Sequence, residues 1–226
     1  MNNLLTNNVI PRITSDYSEA KMNIRKKFQY QSDCNNFCPF NGFLKKDSAK
    51  EITDQKIDFG KLNPYLRALL VTDGTVTKTL ETFFWEPINV ETILHEESIL
   101  SVPVNELNAN PGDHVLQRFV SITGINSGRL YALAESYLLI DGLDRSLREE
   151  LLVSKLGIGR LLRDRKLETY RSILRFYMET ADHLTYKIDE LKNDEQFLSR
   201  DYVVCHSGLP LMFIREKFPM NTYRDL

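Results

Sequence analysis

Cysteine, charge imbalance and long apolar runs are all scarce in this chain of 226 residues. Its three cysteines, Cys34, Cys38 and Cys205, cannot all pair internally, and their density is far below that of a small domain stapled by disulfides. A reducing compartment is therefore expected. The roughly 18 consecutive apolar residues of a membrane helix occur nowhere, and the start Met-Asn-Asn-Leu-Leu-Thr-Asn-Asn lacks a basic segment followed by an apolar one. The expectation is a cytoplasmic protein without a membrane partner. With 29 basic and 31 acidic residues, a net charge of −2 and no long basic run, nothing attracts a phosphate backbone, so nucleic acid is not an expected partner.

Signatures of metal and cofactor chemistry are equally thin. Cys34 and Cys38 have the spacing of half a metal site, but His95, His114, His183 and Cys205 are too scattered to complete it. There is no Gly-x-Ser-x-Gly elbow and no His-Glu-x-x-His, and Cys205 and His206 are neighbours that point to opposite faces of a strand. Gly157-Ile158-Gly159-Arg160 lacks both the third glycine of a dinucleotide fingerprint and the Gly-Lys-Thr/Ser of a P-loop. What remains there is a backbone able to approach a small ligand, or a tight turn. Neither a metal nor an organic cofactor is expected.

What is present begins after residue 57. Residues 1–57 mix Asn, Ser, Asp and Lys without periodicity and read as an irregular N-terminal extension, leaving 58–226 as one domain. Asn63 before Pro64 is a helix start, and that helix should end near Thr72-Asp73-Gly74, with Gly74 in a left-handed turn. Thr75 then caps a second helix through Trp85, stopped by Pro87. Strands are expected over 88–94, 99–104, 115–123 and 129–140, the last two joined as a hairpin by Gly124-Ile125-Asn126-Ser127-Gly128. Asp144 caps a short helix through Val153. A long helix follows the 156–160 turn, with Tyr170, Ile173, Leu174, Tyr177, Met178 and Ala181 as its buried stripe, and a hairpin runs from Tyr202 to Phe218 about Ser207-Gly208. Strands grouped apart from helices give an α+β class with an antiparallel sheet.

Two charges break the strand pattern. Arg118 shares a face with Leu116, Val120 and Ile122, and Glu216 shares one with Met212, Ile214 and Phe218. An ionised group is too costly to bury alone, so the two either pair with each other or face a polar ligand in a cavity. In the second case Arg118 offers a fork matching a carboxylate, and Glu216, in apolar surroundings, acquires a raised pKa suited to proton transfer. Glu135, alternating with Tyr131, Leu133 and Tyr137, is a rival inward carboxylate, while Ala132, Ala134 and Ser136 suggest close packing on the opposite face, by a helix. The helix start at Thr75, Val76 and Thr77 presents unsatisfied N–H groups that attract a carboxylate, unless it is a plain connection.

The segments Lys61 to Arg67, Asp73 to Leu80, Val115 to Phe119, Leu156 to Arg160 and Ser207 to Glu216 together resemble, in that order, the chorismate pyruvate-lyase (4-hydroxybenzoate synthase) family, over roughly residues 58–220. The resemblance implies a single antiparallel sheet with helices on one side and helical flaps enclosing an internal ligand. It also implies cofactor-free conversion of chorismate into 4-hydroxybenzoate and pyruvate, by a monomer or small homo-oligomer. It places Arg118 on the ring carboxylate, Glu216 at the other end of the ring, the backbone at Val76 with Thr75 and Thr77 on the carboxylate, and Ile158 with Gly159 in a second flap. The extension and the stretch from Tyr186 to Arg200 depart from the smallest members. Two other readings stand beside this one: a non-catalytic sensor of small aromatic acids, similar in fold to effector domains of transcription regulators, and a lyase relative with a changed substrate.

Overall fold

The computed structural model describes residues 57–141, 143–153, 158–182, 185, 188, 194–224 and 226. Apart from Ile57, the expected N-terminal extension with Cys34 and Cys38 lies outside them, as do Leu156 and Gly157. Helix α1 (Pro64–Val71) starts where the sequence places it. Pro64 occupies the first turn and the Asn63 side chain accepts from the Tyr65 N–H at 2.8 Å. Its end differs from expectation. The chain leaves through an extended Thr72, whose N–H bonds the Leu69 carbonyl, and Gly74 does not adopt the left-handed conformation. Helix α2 (Val76–Phe84) begins after Thr75, which holds the cap position without a side-chain hydrogen bond, and closes on a left-handed Trp85.

Six strands follow: β1 (Ile88–Ile99), β2 (His114–Gly124), β3 (Leu130–Leu139), β4 (Thr169–Thr180), β5 (Gln196–His206) and β6 (Leu209–Pro219). They form one antiparallel sheet in the order β1-β2-β3-β6-β5-β4. The β2–β3 and β5–β6 hairpins match expectation, the second turning through Ser207 and Gly208, both at positive φ. The first strand is longer than expected, and 99–104 is not a strand of its own beyond an isolated bridge from Val104 to Ala109. Helix α3 (Arg145–Val153) is capped by Asp144, whose carboxylate accepts from the Leu147 N–H at 3.0 Å. Helix α4 (Ile158–Asp164) is one of seven residues, and α5 (Met220–Tyr223) ends the chain.

The expected long helix after residue 160 is not formed: α4 stops at Asp164, and the stripe from Tyr170 to Met178 belongs to β4, with Ala181 just past its end. The reason is a bulge. The β4–β5 register slips between Ile173 and Arg175, so Leu174 is an extra residue and two successive side chains, Leu174 and Arg175, fall on one face. That insertion turns period-2 alternation into the 3-and-4 spacing of a helix.

The five α-helices of the described residues pack on one face of the sheet, whereas the short 3-10 turn Asn105–Leu107 packs on the other. Leu66, Leu69, Leu70, Leu80, Leu151 and Leu161 meet Leu116, Leu138, Phe176, Leu198 and Phe218 in the main core. The other face carries two smaller apolar clusters and, between them, charged side chains that bond one another. Asp201, fully buried, accepts from Arg175 Nε at 2.7 Å, Tyr177 Oη at 2.9 Å and Arg215 Nε at 3.1 Å. Buried Lys217 reaches Glu179 at 3.3 Å and also Asp182. Among the described residues no helix is long and apolar enough to cross a membrane.

Burial pushes the Asp201 carboxyl up, but the Arg215 and Arg175 guanidiniums outweigh it and hold its pKa below the usual value. Its stabilising contribution is therefore fully present above the unfolded carboxyl pKa of about 3.9 and is lost as pH falls through the lower folded value. Asp201→Ala leaves two guanidiniums without their anion. It is expected to lower the unfolding free energy by about 3 kcal/mol, the low end for breaking a buried pair because both arginines are partly exposed. Urea denaturation followed by circular dichroism at pH 7 checks this.

Candidate active site

Between the helices and the sheet lies a cavity of about 580 Å³. Its floor is the helix-facing side of the sheet, and its roof is the start of α2 with α4. The two roof elements come close: a methyl group added at Gly159 would meet Thr75 Cγ2 at 3.6 Å, an ordinary contact. Thr75, Val76, Thr77, Ile158 and Gly159, the residues the sequence singles out for a ligand, all line the cavity together with Arg118 and Glu216. Ile158 and Gly159 do so from the first turn of α4 rather than from a turn preceding a longer helix.

Strand register explains why there is a hole. Arg118 on β2 stands opposite Ser136 on β3, and Glu216 on β6 stands opposite Ala134 on β3. Both strands flank β3, so the two charges arise from backbones about 10 Å apart, with only a methyl and a hydroxymethyl group between them. Val120, Ile122, Met212 and Ile214 supply the apolar remainder. The face of Ala134 and Ser136, expected to be closed by a helix, is thus the open one. The rival carboxylate Glu135 lies on the other face, accepting from the Tyr137 hydroxyl at 2.7 Å.

Arg118 is 3% exposed, its Nη2 lies 3.4 Å from Thr92 Oγ1, and burial pushes its pKa down from the usual value. Glu216 is not in apolar surroundings. Its Oε2 accepts from Arg200 Nε at 2.7 Å and its Oε1 from the Tyr202 hydroxyl at 2.9 Å. Glu216 forms an ion pair, but with Arg200 on β5 rather than with Arg118, the partner that the strand pattern offers it. Arg200 is completely buried and donates Nη1 to the carbonyls of Leu69, Leu70 and Thr72 at 2.7, 2.9 and 3.0 Å. Leu69 and Leu70 lie in the last turn of α1 and Thr72 just beyond it; the Leu69 carbonyl also accepts from the Thr72 N–H. Burial first, then Glu216, raises the Tyr202 pKa, so its hydroxyl stays protonated and donates.

Arg200 falls outside the hairpin that the sequence places from Tyr202, because β5 starts at Gln196; Tyr202 falls inside it but carries no charge to mark it. The signal was there: Leu198, Arg200, Tyr202 and Val204 alternate onto one face, a charge among apolar side chains as at Arg118. Arg171 on β4 also lines the cavity, and was hidden by reading β4 as a helix. Among the described residues no group of three or more His, Cys, Asp or Glu is placed to hold a metal ion. The arrangement can grip an anion at Arg118 and the α2 start, and present a positioned carboxylate one ring away.

Comparisons with known proteins bear on this geometry. The family model described as "Chorismate pyruvate-lyase Rv2949c-like" matches residues 70–225. The chorismate pyruvate-lyase of Mycobacterium tuberculosis (strain ATCC 25618 / H37Rv) is 25% identical over 177 residues, covering 77% of this chain and 88% of the relative. That of Mycobacterium leprae is 26% identical over 165 residues, covering 73% and 79%. Among solved structures, PhnF from Mycobacterium smegmatis shares the fold with a TM-score of 0.53 at 13% identity, covering 67% of this chain and 66% of that one. Its effector domain alone gives 0.50 at 13% identity, covering 66% and 90%.

Arg200→Met strands the Glu216 carboxylate beside the three helix-end carbonyls and is expected to destabilise the fold by about 3–5 kcal/mol. Adding Glu216→Gln should restore a substantial part of that loss, because the buried anion is gone. Urea midpoints of the two single variants and the double variant measure the coupling.

Proposed function

Because the chain belongs to the Rv2949c-like chorismate pyruvate-lyase family, we propose that it eliminates pyruvate from chorismate to leave 4-hydroxybenzoate. The observation that carries this reading is the pairing of Arg118 with Glu216 across a floor of Ala134 and Ser136, inside a roofed cavity. Chorismate is a small dianion with a ring carboxylate at one end and, at the opposite ring carbon, a hydroxyl and a removable hydrogen. Arg118 takes the ring carboxylate through its forked donors, helped by the N–H groups that open α2 at Val76 and Thr77.

The ring then spans the floor and brings its hydroxyl-bearing carbon to Glu216. In the reaction that carbon loses its proton, the neighbouring carbon–oxygen bond to the enolpyruvyl group breaks, and the electron pair of the C–H bond completes the aromatic ring. The departing enolate gains a proton on its methylene carbon and becomes pyruvate. Aromaticity makes the step downhill, so the protein's work is to hold the reactive conformer and help the proton leave. Glu216 does this as a general base, or by orienting substrate for internal transfer of the proton to the enolpyruvyl group. Donation from Arg200 and Tyr202 engages one lone pair on each of its oxygens and leaves the others to face the ring.

The likeness in fold to the effector domain of PhnF supports a second reading, binding of a small aromatic acid without turnover. A lyase acting on another cyclic acid is the third. All three use the same cavity, and turnover separates them.

Incubated with chorismate, the purified protein is expected to release 4-hydroxybenzoate and pyruvate in equal amounts; tight binding of an aromatic acid with no product would favour the sensor. Arg118→Ala should lower kcat/KM by about 100-fold or more, and Glu216→Gln should lower kcat by about 100-fold or more if it removes the proton. Near-normal turnover in either variant sinks the role given to that residue. Turnover in deuterated water divides the two proton routes: pyruvate whose methyl group keeps the ring hydrogen without exchange rules against Glu216 as the base.

A further inference from the structure

The lyase reading leaves one charge of the substrate unassigned. With the ring carboxylate on Arg118, the carboxylate of the enolpyruvyl side chain still enters the cavity, and an ion taken from water needs a cation there. Among the described residues, four cations line the cavity: Lys78, Arg118, Arg163 and Arg171. The Lys78 side chain is 64% exposed and bonds Glu81, and that of Arg163 is 52% exposed and faces Asp164. Arg171 is different, with a side chain only 16% exposed. It stands on β4, four strand spacings from β2, so it approaches the cavity from the side opposite Arg118.

Its guanidinium is already oriented. Nη1 donates to the Asp73 carbonyl, the Asp73 carboxylate lies 3.7 Å away, and Cζ sits 5.8 Å over the centre of the Tyr202 ring. Nε, on the other edge of the fork, has no hydrogen-bond partner among the described residues. Tyr202 also donates to Glu216, so one tyrosine lies between the catalytic carboxylate and Arg171. That order matches the substrate, in which the carbon losing its proton and the carbon bearing the enolpyruvyl ether are ring neighbours. A ring held between Arg118 and Glu216 must send its side chain out beside Glu216.

We propose that Arg171 binds the enolpyruvyl carboxylate and so determines specificity for a dianionic substrate over a singly charged aromatic acid. The assignment rests on the lyase reading, and makes Arg171 a second anchor rather than part of the proton transfer. After the carbon–oxygen bond breaks, Arg171 holds pyruvate and Arg118 holds 4-hydroxybenzoate, so the two products have separate attachments.

The test compares chorismate with 4-hydroxybenzoate, which has only the ring carboxylate. In Arg171→Gln the KM for chorismate, followed by pyruvate release, is expected to rise about tenfold or more, as for a lost hydrogen bond to a charged group. The inhibition constant of 4-hydroxybenzoate should stay within about threefold, whereas Arg118→Ala weakens both ligands. Asp73→Ala, which keeps Arg171 but removes its carboxylate neighbour, should leave the ratio of the two constants unchanged. Equal effects of Arg171→Gln on both ligands, no effect on either, or a chorismate-selective loss in Asp73→Ala would overturn the assignment. Wild-type protein that binds chorismate without turning it over defeats the lyase reading instead, and the same comparison by calorimetric titration still decides Arg171.

Discussion

A fully buried guanidinium holds this structure to its purpose. Arg200 cannot occupy the helix-facing side of the sheet as an isolated charge, since the desolvation cost exceeds anything packing returns. Its partners are the Glu216 carboxylate on the neighbouring strand and three carbonyls at the end of α1. Those of Leu69 and Leu70 belong to the last turn of α1, the negative end of a helix. One side chain therefore seats α1 on the sheet and fixes the carboxylate that faces the cavity. The position of Glu216 follows from the packing of the domain, not from a local loop, which is how a single acidic group is held still.

The two faces of the sheet use charge in opposite ways. On the far face, among the described residues, Asp201 pairs with Arg175 and Arg215, and Lys217 pairs with Glu179 and Asp182, charge against charge within the protein. On the helix face β3 separates Arg118 from Glu216, and its small residues at 134 and 136 leave between them the space of the candidate site. A shared fold does not choose between enzyme and sensor, because both need only a roofed, anion-binding floor. The choice rests on what the carboxylate at 216 does once a ring is bound.

Much of this was readable from residue order. Asn63-Pro64, Asp144, Gly124 to Gly128 and Ser207-Gly208 act through local backbone preferences, and each appears where the chain announces it. Arg118 and Glu216 were visible because a charge on an apolar strand face is an anomaly that only a partner or a cavity resolves. Three things were not readable. The β4 bulge at Leu174 imitates helical spacing, since register belongs to the pairing with β5 and not to β4 itself. The partner of Glu216 lay on a strand whose start was placed six residues late, at Tyr202 rather than Gln196. Which face of β3 is open depends on its neighbours, so Ala134 and Ser136 looked like packing rather than floor.

Helix α2 closes on Trp85, the chain's one tryptophan, which is 88% exposed, while Tyr131, Tyr137, Tyr202 and Tyr223 are buried. The optical signals of the molecule therefore divide between solvent and core. With its indole in solvent, the emission is expected to change little in colour on unfolding. The loss of packing is reported by the tyrosines in near-ultraviolet dichroism. Any blue shift of the emission marks an event at the far end of the helix that opens onto the cavity.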